Sequence, residues 1–138
     1  MQPASHHANT SARAGQVITA LTAAFLLFDG IIHVLKIEPV VDSFRELGFP
    51  GDTAVGIGVL ELICLALYLV PRTSVLGAIL LTGYLGGAVA AQLRIEAPLF
   101  STLLFPVYTG VFLWAGLYLR DAKVRELVPS RSPVGAGA

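Results

Sequence analysis

Three ionisable residues of this chain, Asp29, His33 and Glu61, lie inside long apolar stretches. Asp29 and His33 are four positions apart, so on a helix they share one face. Two carboxyl groups and an imidazole can bind a polar molecule through hydrogen bonds, or act on a substrate as general acid and base. Ionisable groups inside a membrane cost about 3 kcal/mol each on insertion scales and are usually functional. These three residues are therefore the candidate catalytic residues.

The same residues also have a structural interpretation. Asp29 and Glu61 could join neighbouring helices through buried hydrogen bonds, and His33 could extend its ring toward the membrane surface. As metal ligands the three residues lack any familiar spacing, and a structural zinc site has four ligands. The sequence therefore predicts no metal site.

The composition indicates that these residues belong to a membrane protein. Of 138 residues, 55% are hydrophobic and 13% are charged, and the mean hydropathy is +0.76. Soluble domains carry about 25% charged residues. A formal net charge of +0 gives no reason to expect nucleic acid as a partner. The single cysteine, Cys64, excludes a disulfide within the chain and a CxxC redox pair.

Four apolar segments are each close to the roughly 20 residues that cross a bilayer as a helix. They cover about 16–35, 53–70, 74–93 and 101–119. Strand-like alternation is missing from all four, so the sequence predicts an all-α integral membrane four-helix bundle with antiparallel up-down order. This domain is predicted to span 16–120. The polar residues 1–15 are predicted to be disordered, and 121–138 to form a basic cytoplasmic tail.

The connection after the first span carries signals of a short amphipathic helix, about 39–47. Its apolar positions are Val40, Val41, Phe44 and Leu47. Pro39 suits the first turn of a helix, and Gly48 suits the left-handed residue that ends one. This helix is predicted to lie at the outer membrane interface, over the bundle, with Phe49 packed on Phe44.

The distribution of basic residues predicts the orientation, since they are enriched on the cytoplasmic side. With four spans, both termini share a side, and this side carries more basic residues than the other. The first group is Arg13, Arg72, Arg120, Lys123, Arg125 and Arg131, against Lys36, Arg45 and Arg94. Both termini are therefore predicted to be cytoplasmic.

Counting helical rise places the polar residues in one layer of the bundle. Asp29 and Glu61 fall roughly 10 and 12 Å below the outer boundary, because their helices run in opposite directions. An outward-facing polar pocket follows. One stripe of the second span contributes to it, with Gly58, Glu61, Cys64 or Leu65, and Tyr68. Further ligand-binding candidates near this layer are Tyr84, Gln92, Arg94, Tyr108 and Thr109.

The third span is rich in small residues and contains a GxxxG motif at Gly83 and Gly87. Small residues allow helices to approach closely. The motif is interpreted mainly as packing within the bundle. A contact in a homo-oligomer is the alternative.

Several segments carry a resemblance to a known family. They are "GIGVLELICLALYLVPRTSVLGA" (56–78), "LGAILLTGYLGGAVAAQLR" (76–94), "PVYTGVFLWAGLYLRD" (106–121) and "LVP" (127–129). Together they resemble the DoxX-like family of small four-helix bacterial membrane proteins, over about 16–129. The resemblance implies a partner in the membrane, since relatives include a membrane subunit of a thiosulfate:quinone oxidoreductase and a membrane component of a mycobacterial oxidant-defence complex. The family supplies no agreed catalytic motif.

Three functions are compatible with these observations. In the first, the pocket binds a lipophilic or quinone-like small molecule, with the protein as a redox-accessory subunit and quinone as the one candidate cofactor. In the second, Asp29 and Glu61 act as acid and base in the isomerisation or cyclisation of a lipophilic substrate. In the third, the protein is a non-catalytic scaffold subunit of a membrane complex.

Overall fold

The computed structural model describes residues 4–128, with side chains from residue 9 onward, and contains no strand within that range. Its helices are α1 (Ala4–Val34), α2 (Glu38–Glu46), α3 (Thr53–Leu69), α4 (Ser74–Arg94), α5 (Phe105–Arg120) and α6 (Ala122–Leu127), with a π-helical turn at Leu99–Leu103 before α5. The predicted all-α bundle is confirmed.

The four long helices pack in a ring. Helix α1 contacts α3 and α5, and α4 completes the ring by packing against both of these helices. Consecutive long helices are therefore neighbours, as an up-down bundle requires. The short helix α2 lies against α1 and α3 at the end of the bundle where α1 finishes.

The outer surface of the bundle is suited to lipid. The stretches Asn9–Val34, Ser74–Arg94 and Leu99–Arg120 are long and apolar enough to cross a membrane, and the apolar helix Thr53–Leu69 is shorter, at 17 residues. Large apolar side chains point outward, among them Leu21 at 68% exposure and Phe28 at 62%. An apolar exterior of this extent is stable in hydrocarbon rather than in water.

Close helix contacts depend on glycines outside the predicted GxxxG motif. A Cβ at Gly58 would lie 2.7 Å from the Gly30 carbonyl oxygen, and a Cβ at Gly77 would lie 2.2 Å from the Tyr68 nitrogen. Only glycine fits at such positions. These contacts bring α1 against α3, and α3 against α4.

The packed core lies at the end of the bundle opposite α2. Tyr68 is fully buried there and donates a 2.8 Å hydrogen bond to the Leu113 carbonyl. The Arg120 guanidinium lies 5.0 Å from the Tyr68 ring centroid. The buried members of this core are Ala23, Leu26, Cys64, Leu65, Tyr68, Ala78, Leu81, Leu113, Leu117 and Val124. A smaller buried cluster of Val40, Phe44 and Ala54 lies at the α2 end.

Helix α2 follows the sequence prediction closely. Val40 and Phe44 are its buried residues, and Gly48 has a φ of 79°. The Gly48 and Phe49 amides donate to the carbonyls of Arg45 and Phe44 at 2.9 and 2.8 Å, which is the Schellman pattern. The Phe44 and Phe49 ring centroids are 6.2 Å apart, so the predicted contact is confirmed.

Two boundaries differ from prediction. Residues 4–15 were expected to be disordered but are helical, because α1 begins at Ala4. Extending an existing helix adds one hydrogen bond per ordered residue, and the Ala and Arg residues of this segment favour helix. In the predicted basic tail, 122–127 form α6, and Val124 joins the core. Residues 1–3 and 129–138 lie outside the described part of the chain.

The fourth span begins earlier than predicted and is interrupted. The π-helical turn Leu99–Leu103 precedes α5, and Pro106 lies in the first turn of α5. Proline has no amide hydrogen to donate, so it is tolerated at a helix start and not inside a helix. The break therefore lies directly before the proline.

Candidate functional site

The structure brings Asp29, His33 and Glu61 together. One ligand atom from each residue lies within 4.8 Å of the others. Asp29 and His33 come from α1 and Glu61 from α3, so the antiparallel contact places all three at one level of the bundle. The predicted proximity is confirmed, while a catalytic role for these residues stays a prediction.

Glu61 is the most enclosed of the three residues, with no exposed surface. Its Oε2 accepts a 2.9 Å hydrogen bond from the Tyr84 hydroxyl on α4. Its Oε1 is buried without a hydrogen-bond donor among the described residues. The Asp29 carboxyl is close enough to form a hydrogen bond with Glu61 when one of them holds a proton. A proton or a bound group can therefore satisfy Oε1.

The imidazole of His33 is held in one orientation. Its Nδ1 lies 2.7 Å from the Asp29 backbone carbonyl oxygen and 3.6 Å from Asp29 Oδ2. The Phe44 ring of α2 packs edge-on against it, at 5.5 Å between centroids. Because a carbonyl only accepts, Nδ1 carries the hydrogen, and Nε2 of the neutral ring is a free acceptor.

A cavity of about 480 Å³ adjoins these residues. All four long helices and the α2 region contribute to it, and most of its wall is apolar. The residues that line it are Phe25, Leu26, Asp29, His33, Phe44, Leu47, Phe49, Ile57, Leu60, Glu61, Gly83, Tyr84, Leu85, Gly87, Ala88, Ala91, Gln92, Phe105, Pro106 and Thr109. An apolar cleft of this size with a few polar groups is typical of small-molecule sites.

Three of the five further candidates line this cavity: Tyr84, Gln92 and Thr109. The Thr109 hydroxyl donates to the Phe105 carbonyl of its own helix at 3.1 Å, which leaves its oxygen as an acceptor. Gln92 is half-buried and offers both an amide donor and an acceptor. These positions extend the polar end of the cavity from α3 to α4 and α5.

Tyr108 and Arg94 do not line the cavity, so their predicted placement is wrong. Tyr108 is exposed and borders a shallow apolar groove between α1 and α5. Arg94 is exposed and lies beside Gly48. Successive helical residues are rotated by about 100°, so Thr109 reaches both the groove and the cavity while Tyr108 reaches the groove, and Arg94 points away from Gln92. The prediction placed both residues by their depth along the helix, and it did not take into account the direction in which each side chain points.

Gly83 and Gly87 line the cavity instead of packing against a helix, contrary to the main interpretation of the GxxxG motif. A Cβ at either position would meet nothing within 4 Å. The missing side chains create part of the open space opposite Glu61. The sequence signal for this wall is the spacing of Tyr84, Gly87, Ala88 and Ala91, which places these four residues on one helix face.

An ion pair connects the ends of α1 and α3 near the cavity. Lys36, the second residue after α1, donates a hydrogen bond to Asp52, directly before α3. The Lys36 ammonium group lowers the pKa of Asp52 below its ordinary value through this hydrogen bond and its charge. Asp52 is therefore ionised at neutral pH. Its ion pair with Lys36 joins the ends of α1 and α3 and is separate from the Asp29–Glu61 pair.

The fold, with its long apolar helices, defines a helical membrane protein, and a mostly apolar cavity adjoins its Asp29–His33–Glu61 cluster. The sequence profile of the DoxX-like family matches residues 17–116, and the chain belongs to this family. The match includes the four long helices' central portions and every residue of the Asp29–His33–Glu61 cluster. None of the curated proteins and none of the solved structures matches the chain.

Proposed function

We propose that this protein binds a lipophilic small molecule with an oxygen-bearing head group inside the membrane. The observation that supports this proposal is the cavity of about 480 Å³. Its wall is mostly apolar, and its polar lining residues include Asp29, His33, Glu61 and Gln92. Such a cavity suits a molecule that is apolar along most of its length and polar at one end. Quinones and quinols are members of this class, and a redox-accessory role in a membrane complex would follow from such a ligand.

The open side of α4 supports this proposal. Gly83 and Gly87 leave space where larger residues would fill the bundle, although a leucine or alanine there would improve helix propensity and packing. This space is on the same wall as Tyr84, which donates to Glu61. An apolar body against the glycines would thus bring its head group to the carboxyl pair.

We further propose that the cavity faces the outer side of a bacterial inner membrane, with both termini cytoplasmic. The excess of basic residues at the α6 end supports this orientation. The lipophilic ligand would then enter near α2, where Phe44, Leu47 and Phe49 form part of the cavity wall. Movement of this short helix, which is joined by short loops, would admit the ligand.

The test compares two glycine variants of the same helix. Gly87→Leu fills the cavity wall, whereas Gly86→Leu places the same side chain in the groove between α4 and α5. A Cβ at either position meets nothing within 4 Å, so both variants are expected to fold. Protein purified from native membranes in mild detergent is extracted with organic solvent and analysed by mass spectrometry.

Wild type and Gly86→Leu are expected to yield a common lipophilic molecule that is at least tenfold depleted in Gly87→Leu. Detergent-solubilised membranes without the protein give the background lipid composition. Identical extracts from all three proteins, with no molecule enriched above this background, would refute the proposal.

The contact between Asp29 and Glu61 favours a second candidate, an enzyme that uses the pair as acid and base on a lipophilic substrate. Two carboxyls in different surroundings can hold different protonation states, as this chemistry requires. The double variant D29N/E61Q keeps the shape of both side chains but removes the base. Retention of product formation by this variant in the native membrane would eliminate the enzyme candidate.

A further inference from the structure

The Asp29–His33–Glu61 cluster has the donor set of a metal centre, which the sequence spacing alone did not indicate. Each residue offers one ligand atom, and these atoms lie within 4.8 Å of one another. Ligands that bind one ion at about 2.0–2.2 Å are separated by distances of this order after small side-chain rotations. The three residues come from two packed helices, so the backbone already places the donors.

The imidazole has the second contact that metal-bound histidines need. The Nδ1 of His33 donates to the Asp29 backbone carbonyl at 2.7 Å, and the edge of Phe44 fixes the ring. Metal-ligating histidines usually donate their other ring nitrogen to a carbonyl or carboxylate, which sets the tautomer and the ring orientation. With Nδ1 in this hydrogen bond, Nε2 would be the nitrogen left to bind an ion, whereas release of the hydrogen bond would free Nδ1, which lies 3.6 Å from Asp29 Oδ2.

Glu61 provides an independent indication of a missing partner. Its side chain is fully buried, it lines the cavity, and its Oε1 has no donor among the described residues. Buried carboxylate oxygens are normally paired or bound to a metal ion. Tyr84 satisfies only Oε2, and Asp29 is itself an acceptor when ionised.

The charges of the cluster also favour a bound cation. Over residues 9–128, the Lys and Arg side chains form ion pairs only with Asp42 and Asp52, and none pairs with Asp29 or Glu61. Two carboxylates and a neutral imidazole carry two negative charges, which a divalent cation would neutralise inside the low-dielectric bundle.

We infer that Asp29, His33 and Glu61 bind one divalent transition-metal ion, with zinc as the best-matched ion for an imidazole and two carboxylates. Three protein ligands leave a coordination position open, as in catalytic rather than structural zinc sites. The cavity lies on that side, so the open position would accept the head-group oxygen of a lipophilic ligand. This last step rests on the proposed function, while metal binding itself does not.

The test measures metal binding without any lipophilic ligand. Because His6 and His7 can bind metal ions on their own, they are replaced by alanine, and the protein carries no histidine tag. After EDTA treatment and dialysis, the protein in detergent is equilibrated with Zn²⁺, and bound zinc is counted by mass spectrometry of the elements. One zinc per chain is expected at micromolar free Zn²⁺.

Three conservative variants, D29N, H33Q and E61Q, should each lower bound zinc at least tenfold, and E96Q serves as the matched exposed control. Cobalt substitution should give visible absorption bands in wild type that E61Q lacks. If one variant does not fold, the other two carry the comparison. No saturable zinc binding up to 100 µM, about the level of adventitious sites, or equal binding in all variants would overturn the inference.

The two proposals fail in different ways. The variant G87L changes the cavity wall without touching a metal ligand, so it should retain one zinc while losing the lipophilic molecule. Loss of zinc binding in every protein, with retained lipophile, would overturn the metal site alone and leave a shared proton between Asp29 and Glu61. Retained zinc without an enriched lipophile would overturn the proposed function alone.

Discussion

The Tyr84 hydroxyl of α4 donates a 2.9 Å hydrogen bond to Oε2 of Glu61 on α3. This contact fixes one oxygen of a fully buried carboxyl group and leaves the other, Oε1, buried without a donor among the described residues. It also connects the polar cluster to the helix that carries the open glycine wall. The hydrogen bond between Tyr84 and Glu61 therefore both stabilises the packing of α4 against α3 and positions polar groups in the cavity wall.

Replacing Tyr84 by phenylalanine removes this donor and leaves Glu61 Oε2 buried without a partner. The expected loss is about 1–3 kcal/mol in the free energy of unfolding, because an orphaned buried acceptor bears its full desolvation penalty. Thermal unfolding in detergent measures the effect. Tyr108→Phe is the control, since Tyr108 is exposed and far from the cluster, and its melting temperature should match wild type.

Alanine is expected to destabilise the bundle at a glycine packed against another helix, but not at a glycine that faces the cavity. In G58A the new Cβ would lie 2.7 Å from both the Gly30 carbonyl oxygen and His33 Cβ, so α1 and α3 must separate. A loss of about 1–3 kcal/mol is expected from such overpacking. In G83A nothing lies within 4 Å of the Cβ, so stability should stay the same or rise. Equal destabilisation of both variants would contradict the helix contacts described here.

Phe44 should hold α2 on the bundle. Its ring is buried between His33 and Phe49, so F44A is expected to lower the free energy of unfolding by about 3–5 kcal/mol or to release α2 locally. Hydrogen exchange of 38–46 separates these effects, because local release raises exchange only there. The matched variant F100A removes a ring that is 74% exposed and should leave exchange in α2 unchanged.

Cysteine labelling tests the orientation. Cys64 is buried at 3% exposure, so the natural chain should react slowly with a membrane-impermeant maleimide. In spheroplasts, E46C on α2 should be labelled at once, whereas K123C on α6 should be labelled only after the membrane is opened. The reverse pattern would place α2 and the cavity entrance on the cytoplasmic side.

The sequence predicted the bundle and the level of the polar residues because both depend on simple periodicities. Span length fixed the number of helices, and helical rise placed Asp29 opposite Glu61. The predicted stripe of α3 is buried, but of its members only Glu61 lines the cavity, and Cys64, Leu65 and Tyr68 lie in the packed core instead. Turn chemistry at Gly48 predicted the end of α2.

Rotation of each helix about its own axis was harder to predict, because apolar residues surround a membrane helix on all sides. Tyr108 was assigned to the polar layer by depth, yet it faces the outer groove, while its neighbour Thr109 faces the cavity. The glycine pair at 83 and 87 was misinterpreted for the same reason. A GxxxG spacing indicates a flat surface, and only the packing of neighbours decides whether a helix or a cavity covers it.

An experimental density map of the protein, crystallised from a lipidic mesophase, would test most directly whether the cavity binds a lipophilic molecule. We expect elongated density in the cavity of about 480 Å³, lying along Gly83 and Gly87 with its polar end beside Glu61. The map of the Gly87→Leu variant should lack this density, and that of Gly86→Leu should retain it. A cavity closed by repacked side chains, with no room for a ligand, would contradict the proposal that this cavity binds a lipophilic molecule.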